Sequence, residues 1–91
     1  MTQKQEINSN DKFEASFSVL SMSIASSAAV ALGLTPNPQD GNITADKNMA
    51  RFNIDLLIVL QEKTKGNLTV DESSFIDAVI NDLQIKYLTL K

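Results

Sequence analysis

Serine is the residue type that most suggests chemistry in this chain. A serine acts as a nucleophile only beside a general base and an oxyanion hole. The chain has no His and no Gly-x-Ser-x-Gly turn, so neither the usual base nor the usual nucleophile elbow is present. We therefore interpret the serines as packing residues and predict a protein that is not an enzyme. Six of them lie within twelve positions: Ser16, Ser18, Ser21, Ser23, Ser26 and Ser27.

Metal binding is the second chemistry to consider. The chain has no His and no Cys, which are the commonest ligands of zinc and similar metals. A carboxylate site could be formed by Asp71, Glu72, Asp77 and Asp82. However, Asp77 and Asp82 are five positions apart, and residues at that spacing do not share a helix face well. We predict a solvated acidic face, no metal site and no cofactor.

Residues 62–69 combine two lysines, a glycine and the start of a helix. The free amides at a helix start favour an anion, so Lys63, Lys65 and Thr69 are candidates for an anion or partner contact. The alternative is a corner between two helices, in which Gly66 makes the turn and Thr69 with Glu72 caps the second helix. The sequence favours the corner.

The overall balance of charge limits the partners. A chain of 91 residues forms one domain, and its net charge of −3 argues against a nucleic-acid partner, because phosphate binding needs clustered Lys and Arg. The absence of Cys removes any disulfide framework, which favours a cytoplasmic location.

Hydrophobic periodicity and turn residues predict an all-α fold of three helices. A polar, disordered arm at 1–12 precedes one helical domain at 13–91, with helices at about 13–33, 45–65 and 70–89. Asp11 is the expected cap of the first helix, with Glu14 in its first turn, and Gly33 is its expected stop. Asp46 or Thr44 caps the second, and Gly66 ends it.

Each helix has an apolar stripe that we expect to face inward. Positions three and four apart define the stripes. In the first helix they are Phe13, Phe17, Leu20, Ile24, Ala28 and Ala31; in the second, Met49, Phe52, Leu56 and Leu60, widened by Ile54, Leu57 and Ile58; in the third, Ile76, Val79, Ile80, Leu83, Tyr87 and Leu90.

No charged residue occurs from 15 to 39. This stretch is long and apolar enough to raise a membrane-associated alternative, in which the helix at 15–34 contacts lipid. The serines, the missing aromatic belt and the missing flanking Lys and Arg disfavour a span. A signal peptide is disfavoured by the acidic residues at 6, 11 and 14.

We interpret the uncharged helix as one that packs closely on several sides, because Ser and Ala recur at intervals of four. Two further helices are too few to cover it. We therefore predict a homodimer or larger assembly, a dimeric helical bundle that acts through homo-oligomerisation or protein–protein interaction. The interface candidates lie on one stripe: Phe17, Leu20, Ser23, Ile24, Ser27, Ala28 and Ala31.

Several short motifs are spread from about Phe13 to Leu90, and residues 62–69 (EKTKGNLT) are the most specific of them. The others are Phe17-Ser18, Leu20-Ser21, Ser26-Ser27-Ala28, Leu32-Gly33, Pro36-x-Pro38-x-x-Gly41, Ala50-Arg51, Ile54-Asp55-Leu56-Leu57 and Leu60. Together these motifs resemble the uncharacterised bacterial domain-of-unknown-function family 1844. The resemblance implies a small, cytosolic helical protein, and it brings no activity, substrate or catalytic residue.

Overall fold

The computed structural model describes residues 14–90, and the predicted arm at 1–12 lies outside them, as does Phe13. Three α-helices follow one another: α1 (Phe17–Ala31), α2 (Lys47–Lys63) and α3 (Val70–Leu88). No strand occurs between 14 and 90. The all-α prediction of three helices is confirmed.

The predicted start of α1 is wrong by four residues. Ser16 has an extended backbone, and its hydroxyl accepts a hydrogen bond from the Val19 amide at 3.1 Å. This makes Ser16 the N-cap, so the helix begins at Phe17 and Glu14 lies before the first turn. Asp11 lies outside the described residues. Ser16 lies inside the predicted helix, but a serine hydroxyl caps a helix about as well as an aspartate does.

Gly33 ends α1 as predicted. Its φ is +79°, and the Leu34 amide donates to the Ala29 carbonyl at 2.9 Å while the Gly33 amide donates to Val30 at 3.0 Å. These two bonds are the Schellman pattern, which needs a left-handed residue at this position.

The start of α2 is tied directly to the end of α1. The Asp46 carboxylate caps α2 by accepting from the Met49 amide at 3.1 Å, and the Asp46 amide donates to the Ala31 carbonyl at 2.7 Å. The loop between them therefore reverses the chain, and α1 and α2 run antiparallel. The helix ends at Lys63, two residues earlier than predicted, with Thr64 as its C-cap.

The core is small and rich in alanine. All three pairs of helices are in contact, and the molecule is only 16 Å thick along its thinnest axis, which corresponds to two layers of helices at the usual spacing of about 8–10 Å. The buried apolar residues are Ala28, Ala31, Leu32, Ala50, Ile54, Leu57, Ile76, Ile80 and Leu83.

The stripe predicted to face inward on α2 is partly wrong. Met49, Phe52 and Leu56 are 48%, 55% and 37% exposed. The other four predicted residues are confirmed, since Ile54 and Leu57 are buried and Ile58 and Leu60 pack half-buried against the core. Ala50 and Asn53 complete the buried side of α2. Ala50 meets the alanines of α1 in one cluster. Small side chains let two helix backbones approach closely, and α2 packs through this side rather than through its bulkiest row.

The inward stripe of α3 is confirmed. Ile76, Ile80 and Leu83 are buried, and Val79, Tyr87 and Leu90 pack against the core as half-buried residues. On α1, Ile24 and Phe17 are half-buried against the core, whereas Leu20 is exposed and not inward-facing as predicted.

Ser21 is fully buried, and its hydroxyl has no hydrogen-bond partner among the described residues. We predict that Ser21→Ala stabilises the fold by about 1 kcal/mol, because an unpaired buried hydroxyl costs roughly that much, and raises the Tm by about 4–8 °C. Ser18→Ala is the matched control, since it makes the same helix-propensity change at another exposed site of α1. A Tm no higher for Ser21→Ala than for Ser18→Ala would contradict the prediction.

Candidate functional site

Three serine hydroxyls, those of Ser16, Ser23 and Ser27, are hydrogen-bonded to the backbone of α1. The Ser23 hydroxyl donates to the Val19 carbonyl at 3.0 Å, and the Ser27 hydroxyl donates to the Ser23 carbonyl at 3.3 Å. Ser16 is the N-cap, and Ser21 is buried. A hydroxyl bonded to a carbonyl four residues back contributes to local structure, and this arrangement fits packing better than nucleophilic catalysis.

The corner between α2 and α3 forms the predicted capping box. The Thr69 hydroxyl accepts from the Glu72 amide at 3.1 Å, and the Glu72 carboxylate accepts from the Thr69 amide at 2.9 Å. The carboxylate therefore stands where an anion would bind. Lys65 lines a shallow hollow of about 380 Å³ with Gly66, whereas Lys63 is not part of its lining. The geometry supports a structural corner more than an anion site.

The acidic side chains of α3 do not converge. Asp82 pairs with Lys86 at 2.6 Å, and Asp77 accepts from the Gln61 side-chain amide at 3.4 Å. Within residues 14–90, no group of three or more acidic residues is placed to hold a metal ion.

A cleft of about 370 Å³ separates the outer parts of α2 and α3. Arg51 and Asp55 form an exposed pair on its α2 side, with Arg51 Nε 3.8 Å from the carboxylate. Tyr87 lies on the α3 side, and the Lys47 ammonium is 5.7 Å from the centre of its ring. Arg51 thus points toward α3, not toward the serines of α1.

The other flank of α2 is apolar and uncovered. Met49, Phe52 and Leu56 follow one another at steps of three and four, so they form one row along the helix. They are the same three residues that the sequence placed in the core. Isolated exposed apolar residues are normal, but a row of large ones indicates a surface for association.

The neighbouring flank of α1 has small side chains. A groove of about 720 Å³ lies between the two helices and the loop that connects them, and it is lined by Ser27 on α1, by Met49 and Asn53 on α2, and by loop residues 37–40 and 44. From Ser27 the same side of α1 continues through Ser23 to Leu20. We call this surface the α1–α2 face, and it consists of Leu20, Ser23, Ser27, Met49, Phe52 and Leu56.

Three polar side chains on or beside the α1–α2 face are already paired. Besides Ser23 and Ser27, the Asn53 side-chain amide donates to the Met49 carbonyl at 2.9 Å. Burying a paired polar group avoids the penalty of about 1–3 kcal/mol for an unsatisfied one. Another protein could therefore cover this surface without leaving these donors unpaired.

The interface residues predicted from the sequence fall into three groups. Ala28 and Ala31 lie in the core of the single chain, so they are not accessible on its surface. Phe17 and Ile24 pack half-buried against that core. Leu20, Ser23 and Ser27 are exposed, and for them the interface role stays a prediction.

The exposed row on α2 was predicted to face inward. The seven residues of α2 predicted to face inward cover an unusually wide apolar arc, wider than two neighbouring helices can bury. The width of this arc is the feature of the sequence that indicates an exposed apolar row.

None of the helices between 14 and 90 combines the length and the apolar character needed to span a membrane.

Comparison with known proteins gives one result. A family model described as a domain of unknown function, DUF1844, matches residues 14–89. No curated protein and no solved structure matches the chain significantly.

Proposed function

The chain belongs to the DUF1844 family of domains of unknown function, and we propose that it is a small, non-enzymatic cytoplasmic protein that works by association, in the first place with a second copy of itself. The observation that supports this proposal is the uncovered row of Met49, Phe52 and Leu56 on α2. A monomer whose buried core includes three alanines gains little from burial, and association would bury this row as well.

The chemistry of the chain supports the non-enzymatic part of the proposal. It has no His and no Cys in 91 residues, and the hydroxyls of Ser23 and Ser27 are bonded to backbone carbonyls. A cytoplasmic location agrees with a fold that uses no disulfide.

We predict that the Tm of the protein rises by several degrees between about 1 and 100 µM chain. Association stabilises the folded state by mass action, and a hundredfold change in concentration contributes about 2.7 kcal/mol. Circular dichroism at 222 nm (helix content) on heating measures the Tm at each concentration. A Tm that does not change over this range would contradict the proposal.

A further inference from the structure

We propose that the partner on the α1–α2 face is a second copy of this chain, related by a two-fold axis that runs between α1 and α2, along the helices. The large row on α2 of each copy then packs on the serine row on α1 of the other. This inference rests on the proposed function and specifies its geometry.

The shape of the face supports this arrangement. One half of the face carries the large side chains of Met49, Phe52 and Leu56, and the other half carries Ser23 and Ser27, with Leu20 as its one large residue. Large side chains opposite small ones fill the space between two layers, whereas large opposite large leaves gaps elsewhere. A two-fold axis along the helices places α1 of one copy opposite α2 of the other, so the surface is complementary to itself.

The register along the helices agrees with the same axis. Asp46 bonds to Ala31 where α2 begins and α1 ends. Ser23 lies eight residues before Ala31 on α1, and residue 54 lies eight residues after Asp46 on α2. At about 1.5 Å per residue both lie about 12 Å from this hydrogen bond, so Ser23 and residue 54 are at the same height along the helices. In the proposed dimer, Ser23 of one copy therefore lies between Phe52 and Leu56 of the other.

The distribution of charge favours a second copy over a charged partner. None of the six residues of the α1–α2 face is charged, although Asp40 and Asp46 line the groove beside it and Asp55 follows Phe52 by three positions on α2. A charged partner surface would bury charges without partners on this face. An uncharged partner surface therefore suits it better, and a second copy has one.

The large residues of the face leave apolar area for a dimer to bury. Its three large α2 residues and Leu20 are 37–55% exposed. Specific interfaces bury at least about 1,200 Å² for the pair, so the proposed dimer requires each chain to bury about 600 Å² of this face and the groove beside it.

The test uses charges of opposite sign on two variants. Ser23→Lys and Phe52→Glu are each expected to be folded monomers. A symmetric dimer of either variant would bury two unpaired charges, one from each copy, and this makes the dimer unfavourable. Mixed in equal amounts, they are expected to form a heterodimer, since the proposed axis sets the substituted position 23 of one chain against the substituted position 52 of the other. Sedimentation equilibrium at about 50 µM measures the mass, and circular dichroism confirms that each variant is helical.

A second mixture, of Ser23→Lys with Ser23→Glu, is the matched control, because it tests the alternative in which α1 packs on α1. A heterodimer only in this control would overturn the proposed axis while leaving self-association intact. A dimeric Ser23→Lys alone, or monomers in both mixtures, would also overturn it. A monomeric wild-type chain would instead contradict the proposed function itself.

Discussion

Replacing Leu57 with alanine is expected to lower the free energy of unfolding by about 3 kcal/mol, and the Tm by more than 10 °C. Leu57 is one of the largest fully buried side chains, and truncating a buried Leu usually costs about 2–5 kcal/mol. A domain of this size has a total stability of only about 5–10 kcal/mol. The substitution would therefore remove a large part of the total stability of the fold.

The core around Leu57 has little capacity to close the cavity. Its neighbours in the cluster include Ala28 and Ala50, whose short side chains cannot extend into the space. Urea unfolding followed by circular dichroism gives the free energy directly.

Ile85→Ala is the matched control, because it removes a similar side chain from an exposed site on α3. It should change the free energy of unfolding by less than about 0.5 kcal/mol. Similar losses for the two variants would mean that the packing of α2 is not as described.

Replacing Phe52 with glutamate is expected to convert the dimer into a folded monomer. Phe52 is 55% exposed in the single chain, so the substitution costs the monomer little. In the dimer the carboxylate would be buried without a partner, which costs about 3 kcal/mol or more and weakens association by a factor of 100 or more. Sedimentation equilibrium measures the mass, and circular dichroism measures the helix content.

Ile85→Glu places the same charge at another exposed apolar site, on the outer side of α3 and away from the α1–α2 face. It should remain dimeric. If Phe52→Glu also remains dimeric, or if it unfolds, the surface assigned to association is wrong.

The features that depend on neighbouring residues could be predicted from the sequence. The Thr69–Glu72 capping box, the Asp46 cap and the Gly33 stop each arise within one turn of helix, and local hydrogen bonding decides them. They fix the number of helices and place every end except the start of α1 within two residues. The start of α1 was wrong because Ser16, which was predicted to lie within the helix, serves as its cap.

The packing side of α2 could not be predicted, because it depends on residues of another helix. Hydrophobic periodicity does not distinguish Phe52 from Leu57, because both belong to one wide apolar arc of α2. The choice between them is made by Ala28 and Ala50, which let α1 and α2 approach through their small sides. Only half of the candidate site could therefore be predicted from the sequence. The serine row of α1 was identified, but the row of large side chains on α2 was not.

The mass of the wild-type chain in solution tests the account most directly. Sedimentation equilibrium at about 10–100 µM should give about 20 kDa, twice the chain mass of 9.9 kDa, with dissociation only on dilution. A mass of about 10 kDa throughout this range would show that the α1–α2 face does not hold a second copy, and it would contradict the central claim.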